Sequence, residues 1–115
     1  ANVVAEYVGG SIASEPTSKL NEIGETPALI GAIERCLKSN NVKKSDVGLV
    51  FTSGTDIRVI DDAEIHSLKT VFGDDLPAVG STGSVTGNLL EAGGLMEVSL
   101  ASHFYNDGKA ANIRA

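Results

Sequence analysis

Short runs of β-branched and apolar residues alternate with longer amphipathic segments along the chain. Three such runs predict strands: NVVAEYV (2–8), VGLVFT (47–52) and PAVG (77–80). Apolar residues at helical spacing predict three helices, which begin at Thr26-Pro27, at Asp61 or Asp62, and after the polar loop 81–88. The order β-α-β-α-β-α indicates an α/β fold with a largely parallel sheet and right-handed crossovers.

Polar residues and glycines mark the remaining boundaries. Residues 11–24 contain Ser, Pro, Asn and Gly without a period, so we predict a loop. Gly73 is expected to end the second helix, and the last helix is expected to reach about Tyr105. Two loops, 52-TSGTDIR-58 and 81-STGSVTGN-88, follow predicted strands. Ligands of parallel sheets gather at the carboxyl ends of strands, so these loops are the candidate functional region.

The predicted sheet is small. Three parallel strands and three helices do not cover both faces and both edges of a sheet, and an open edge is prone to pair. We therefore expect residues 1–115 to form a single unit that is a fragment or part of a larger assembly.

The composition excludes several classes of function. The chain is 42% hydrophobic and 21% charged, which is typical of a globular protein. Its net charge is −6, and the only basic cluster is Lys43-Lys44. Binding to nucleic acid or to an anionic membrane requires many basic residues, so neither is expected. The sequence has no signal-peptide pattern and no run of about 18 apolar residues, which favours a cytoplasmic protein without a membrane span.

The glycine-rich loop 81–88 is not a nucleotide-binding motif. It lacks the spacing and the lysine of a P-loop and the GxGxxG of a dinucleotide fold. We interpret Gly83 and Gly87 as turn residues and Thr86 as a helix cap. Gly93 and Gly94 would lie within the last helix, where each glycine costs about 1 kcal/mol relative to alanine. Another element is therefore expected to approach that helix closely.

Candidate reactive groups are few. Asp61, Asp62 and Glu64 form an acidic group, for which helix capping is favoured over metal binding because no histidine or cysteine is spaced to join them. Cys36 lies on the apolar stripe of the first helix and is interpreted as a packing residue. His66 and His103 have no triad partners at a recognisable spacing. No cofactor or metal is expected.

Three segments together resemble the C-terminal half of a β-ketoacyl synthase, a condensing enzyme of the thiolase fold. The family strand ends in HGTGTxxxDxxE, and this chain has 53-SGTDIRVIDDAE-64. The family's ALKxVFG helix resembles 66-HSLKTVFG-73, and its STKSxTGHxxGAAG resembles 81-STGSVTGNLLEAGG-94. The resemblance runs from about residue 3 to 113. It implies a thiolase-like half-domain, with a layered sheet and a buried small-residue helix.

The resemblance also implies which residues matter. Two family histidines fall on Ser53 and Asn88, and the family lysine falls on Gly83, so the catalytic groups are degenerate. The retained loop positions, expected near substrate, are Gly54, Thr55, Ser81, Thr82, Ser84, Thr86 and Gly87. The retained structural positions are Asp61, Glu64, Gly93 and Gly94.

A retained scaffold without its reactive groups resembles the chain-length-factor subunits. These pair with an active ketosynthase in type II fatty acid or polyketide synthesis, and the resemblance implies a heterodimer that meets the acyl carrier protein through the complex. An alternative is an acyltransferase with altered chemistry, in which Ser53 and Asn88 bind a thioester and a partner chain supplies the cysteine. A third possibility is an interaction module without an acyl ligand.

Overall fold

Helices and short strands alternate in the computed structural model, which describes residues 3–15, 26–87 and 89–106. Four α-helices and two strands are described: α1 (Pro27–Ser39), β1 (Leu49–Phe51), α2 (Arg58–Phe72), β2 (Ala78–Gly80), α3 (Gly83–Thr86) and α4 (Gly93–Asn106). Short 3-10 helices lie at Lys44–Asp46, Gly73–Asp75 and Leu90–Ala92.

The two strands form a parallel pair. Leu49, Val50 and Phe51 lie opposite Ala78, Val79 and Gly80. Parallel neighbours require a crossover, and α2 supplies it. The α/β class and the predicted strands near 47–52 and 77–80 are thereby confirmed.

The core lies where α1 and α2 cover the sheet. Its buried centre is Leu68, Val71 and Phe72 of α2. Partly buried apolar residues from α1, the following turn and both strands pack against this centre: Ile30, Ile33, Leu37, Val47, Val50 and Val79. Because α1 and α2 share this cluster with both strands, the two helices cover the same face of the sheet.

The start of α1 is fixed by contacts distant in sequence. The helix begins at Pro27, as predicted, but Thr26 does not cap it with its side chain. Thr26 is buried, and its hydroxyl contacts the Ser67 hydroxyl and lies 3.5 Å from the Ala63 carbonyl oxygen on α2. The Glu15 carboxylate instead accepts the free helix N–H groups of Ala28 at 2.9 Å and Leu29 at 3.2 Å.

The predicted first strand is not formed over residues 3–8. A strand needs a partner for its backbone groups, and no described strand pairs with this segment. Val3 and Tyr7 are each 86% exposed. Residue 2, the other end of the predicted strand, lies outside the described residues.

The predicted helix α2 ends correctly but starts earlier than expected. Gly73 is the C-cap with φ +53°, a conformation that suits glycine. The helix begins at Arg58 after Ile57, so Asp61 lies within its first turn and is not its N-cap. Ile57 O accepts the Asp61 N–H at 3.0 Å, which continues the helical pattern back through the predicted turn.

The last predicted helix forms in two pieces, the 3-10 helix Leu90–Ala92 and α4, and the short α3 lies within the predicted loop 81–88. Gly87 has φ +70° and Leu90 has φ +52°, and such values interrupt a right-handed helix. Thr86 ends α3 and does not cap α4, as its hydroxyl donates to the Thr82 carbonyl oxygen at 3.1 Å.

Gly93 and Gly94 begin α4 and do not lie within a longer helix. A Cβ at either position would meet no atom within 4 Å, and Leu95 and Val98 are exposed. Within the described residues, no other element therefore makes the expected close approach to Gly93 and Gly94 of α4.

None of the helices in the described part of the chain is long and apolar enough to span a membrane.

Candidate functional site

The two candidate loops meet at the carboxyl ends of β1 and β2, as the sequence predicts. Thr52 extends the ladder beyond β1 by donating its N–H to the Gly80 carbonyl oxygen at 2.9 Å. A cleft of about 160 Å³ lies between the loops and the start of α4. Its lining residues are Ser53, Thr55, Thr82, Gly83, Thr86, Gly87, Leu89, Leu90, Gly93, Gly94 and Glu97.

The loops touch at Gly54 and Gly83. Gly54 has φ +53°, and a Cβ there would collide with the Ser81 hydroxyl. A Cβ at Gly83 would collide with the Gly54 carbonyl oxygen, which is a backbone atom. A side chain at either position therefore requires one loop to move away from the other.

Ser53 is held by Glu64 of α2. The Ser53 hydroxyl donates to Glu64 Oε1 at 2.9 Å, and the Ser53 N–H donates to Glu64 Oε2 at 3.2 Å. Serine thus engages the carboxylate with both its backbone and its side chain. The pair holds the start of the loop against α2, the helix that follows it.

Asp61 holds the same loop two residues later. The N–H and the hydroxyl of Thr55 both donate to Asp61 Oδ1 at 2.9 Å. The Thr55 hydroxyl also accepts the Ile57 N–H at 3.1 Å. Asp56, between them, has φ +60°. The two carboxylates therefore bind loop groups outside α2, which replaces the predicted role of Asp61 as the helix cap.

The acidic group does not assemble a metal site in the described residues. No three His, Cys, Asp or Glu side chains lie together there in an arrangement that would hold a metal ion. Asp61 and Glu64 are engaged by Thr55 and Ser53, respectively.

The second loop is organised by its own hydroxyl groups. Ser81 Oγ accepts the Gly83 N–H at 3.2 Å. Thr82, which is buried, donates its hydroxyl to Glu97 Oε1 of α4 at 3.3 Å. Ser84 lies in α3, and Asn88 lies outside the described residues.

Glu97 is the residue that sequence reasoning missed. It lines the cleft and ties α4 to the second loop through Thr82. The amino-acid sequence does not mark Glu97 as a site residue, because a glutamate on the exposed face of a helix is indistinguishable from an ordinary surface glutamate. Its position follows from the break between α3 and α4, which was not predicted.

The remaining reactive side chains do not line the cleft. His66 is exposed on α2, and His103 lies beside Phe104 on α4 with ring centroids 5.9 Å apart. Cys36 is half-buried and lines a separate apolar groove against α1. This agrees with the interpretation of Cys36 as a packing residue.

The chemistry of the cleft is that of hydroxyls and one carboxylate. The described lining contains Ser53, Thr55, Thr82 and Thr86 as hydroxyl groups and Glu97 as the ionisable group. Aliphatic hydroxyls donate and accept hydrogen bonds but do not ionise near neutral pH. The arrangement suits polar contacts to a bound group.

Comparison with protein families identifies this architecture. Residues 4–113 match the family described as "Beta-ketoacyl synthase, C-terminal domain". The chain belongs to this family. The resemblance in the three sequence segments is therefore confirmed, and the α/β fold with its short parallel sheet is that of a thiolase-like ketosynthase C-terminal domain.

Three relatives are longer proteins that this chain matches over part of their length. The 3-oxoacyl-[acyl-carrier-protein] synthase 1 of Haemophilus influenzae is 36% identical over 98 residues, which cover 84% of this chain and 23% of that protein. The Escherichia coli K12 synthase 1 is 32% identical with the same coverage. The chloroplastic synthase I of Arabidopsis thaliana is 28% identical over 109 residues, 94% of this chain and 23% of that protein. The chain thus spans about a quarter of the length of these relatives.

Proposed function

We propose that this ketosynthase C-terminal domain serves in a non-catalytic, chain-length-factor-type subunit. The subunit pairs with an active β-ketoacyl synthase in type II fatty acid or polyketide synthesis in the cytoplasm. It meets the acyl carrier protein through that complex, and it requires no cofactor of its own.

The observation that carries the proposal is the contact between Gly54 and Gly83. By its resemblance to the family motif, Gly83 stands where active members have a lysine. The Gly54 carbonyl oxygen fills the space that the Cβ of such a side chain would need. The packing of the two loops is thus fitted to glycine, and it supports a cleft that works without a cation at this position.

Ser53 supports the same proposal. It stands where the motif has a histidine, and its hydroxyl donates to Glu64 at 2.9 Å. That bond uses the hydroxyl hydrogen, which is the only hydrogen-bond donor of the serine side chain. The hydroxyl is therefore engaged in holding the loop. Serine does not titrate near neutrality and cannot replace a histidine as acid or base.

The proposal is tested with the full protein and an active ketosynthase expressed together. We expect the two to co-purify and expect product to be lost when this protein is omitted. The protein alone is expected to show no malonyl decarboxylation. An active subunit that gives equal product alone would contradict the proposal.

Substitution separates a silent subunit from the alternative with altered chemistry. If Ser53 and Asn88 bind a thioester in the transition state, Asn88→Ala lowers turnover by about 10² to 10³, the range for one oxyanion donor. A silent subunit predicts the same turnover for Ser53→Ala, Asn88→Ala and the exposed-site control Ser45→Ala, provided that each variant still co-purifies with its partner.

A further inference from the structure

The basic pair Lys43-Lys44 lies away from the cleft. It follows the end of α1 and precedes β1, whereas the cleft is formed by the loops at the carboxyl ends of β1 and β2. The pair and the cleft are therefore at opposite ends of β1.

The pair borders a groove at the end of α1, which we call the lysine groove. It has a volume of about 540 Å³, and its lining residues are Glu34, Leu37, Lys38, Val42, Lys43 and Lys44. The three lysines and Glu34 are exposed, whereas Leu37 and Val42 are half-buried. The groove thus combines an apolar floor with a rim of three cations and one carboxylate.

The backbone of the lysine groove is held by hydrogen bonds and by the core. The Val42 N–H donates to the Leu37 carbonyl oxygen at 3.0 Å, and the Asp46 N–H donates to that of Lys43 at 3.0 Å. Leu37 also packs against the buried core cluster. The lysines are therefore carried by an ordered backbone, so a partner loses less affinity to the ordering of this segment.

The lysine groove is a positive region of an acidic chain. Residues 34–46 contain four of the nine basic residues and two of the fifteen acidic residues, in a chain of net charge −6. Within the described residues, none of the three ammonium groups at the rim donates a hydrogen bond or forms an ion pair. Charge complementarity therefore selects a partner that carries anionic groups.

The position of the groove favours a protein with carboxylates over a small phosphate ligand. The start of a helix favours phosphate, because its N–H groups are free. The lysine groove lies at the other end of α1, where carbonyl oxygens are free and the helix dipole is negative. Glu34 adds a negative charge to the rim. Lysine side chains are long, so their ammonium groups reach carboxylates on a partner that lies away from this backbone.

We propose that the lysine groove docks an acidic amphipathic helix of a partner protein. An apolar side chain of that helix packs on Leu37 and Val42, and carboxylates on its flanks pair with Lys38, Lys43 and Lys44. Helices that lay an apolar face into a groove are a recurring mode of recognition. Because the groove and the cleft are at opposite ends of β1, the docked helix leaves the cleft open.

Titration of the full protein with a synthetic helix tests the proposal. The probe is a peptide of about four helical turns with leucines on one face and glutamates on both flanks, and its control has glutamine at each glutamate. Amide chemical shifts locate the binding site, and fluorescence anisotropy gives the Kd. We expect the acidic peptide to shift the amides of residues 37–44 and to bind about tenfold more tightly than its control, with a difference that shrinks as salt is added.

Two results of this titration would overturn the proposal. One is equal affinity for the acidic peptide and its glutamine control. The other is a groove whose amides do not respond to the acidic peptide, and a response to inorganic tripolyphosphate alone would then assign the groove to a phosphate ligand.

Charge reversal separates the groove from the charge of the whole protein. We expect the double variant Lys43→Glu/Lys44→Glu to weaken binding of the acidic peptide by about tenfold, because two attractive pairs become repulsive. Arg58→Glu/Lys69→Glu is the matched control, since it changes the net charge equally at two exposed residues of α2 that do not line the groove. We expect its affinity to stay within about twofold of the wild-type value, as screened charges away from the groove contribute little. Equal weakening in both variants would overturn the proposal.

Discussion

The carbonyl oxygen of Gly54 occupies the space that a side chain at Gly83 would need. This contact joins the loop after β1 to the loop after β2. It restricts position 83, which lines the cleft, to a residue without a side chain. Gly83 is thereby required by the backbone of Gly54, and Gly54 in turn is required by the Ser81 side chain of the second loop.

Gly83→Ala should therefore destabilise the protein. The added methyl group meets a backbone atom that cannot rotate away, and overpacking of this kind costs about 1–3 kcal/mol. Gly94→Ala is the matched control, because a Cβ there meets nothing within 4 Å and alanine favours a helix. Denaturant unfolding compares the two. Equal free energies of unfolding would show that the loops separate easily.

The bonds between Ser53 and Glu64 predict a local effect. Glu64→Ala removes the acceptor of both the Ser53 hydroxyl and the Ser53 N–H, with a loss of about 1 kcal/mol because the pair is partly in water. Hydrogen exchange at the Ser53 amide should quicken while the α2 core stays protected. Asp62→Ala is the control, as Asp62 is exposed on the same helix. A Ser53 amide that responds equally to both changes would contradict this role for Glu64.

The sequence predicts those parts of the fold that local signals encode. Pro27 at the start of α1, Gly73 at the end of α2 and the two short strands each have a residue-level cause within a few positions. The meeting of the two loops follows from parallel topology, because carboxyl ends of neighbouring strands lie at one edge.

Structural features that depend on contacts between residues far apart in sequence cannot be predicted from such local signals. Thr26 has the pattern of a cap, yet it is turned toward Ser67 because both hydroxyls are buried and need partners. Glu15 replaces it from a segment predicted as loop. Glu97 lines the cleft from α4, and Leu90, just before α4, has φ +52° where the sequence predicts a continuous helix.

The pair Thr26 and Ser67 predicts a global effect. Ser67 is fully buried, and Ser67→Ala leaves the Thr26 hydroxyl with only the weak 3.5 Å contact to Ala63 O, at a cost of about 1–3 kcal/mol. Thr70→Ala on the same helix is the matched control. The Ser67 hydroxyl donates to the Ala63 carbonyl oxygen at 2.8 Å, and the Thr70 hydroxyl donates in the same way to the His66 carbonyl oxygen at 2.9 Å. Because Thr70 is exposed, we expect its replacement to change the free energy of unfolding by at most about 0.5 kcal/mol. A thermal unfolding midpoint that falls equally in both variants would refute the interhelical role.

The last prediction concerns the cap that Glu15 provides to α1. Its carboxylate accepts two of the N–H groups that every helix leaves free at its start, and it carries negative charge to the positive end of the helix dipole. Glu15→Ala should cost about 1 kcal/mol, the usual value of a lost cap. Glu15→Gln should retain part of this stability, because an amide oxygen still accepts hydrogen bonds but lacks the charge. Exchange of the Ala28 and Leu29 amides reports the cap directly, with Glu6→Ala as the control from the same exposed stretch. If both amides keep their wild-type exchange rates in Glu15→Ala, water satisfies the start of α1 equally well, and the 13-residue bridge from Glu15 to Ala28 does not stabilise the fold.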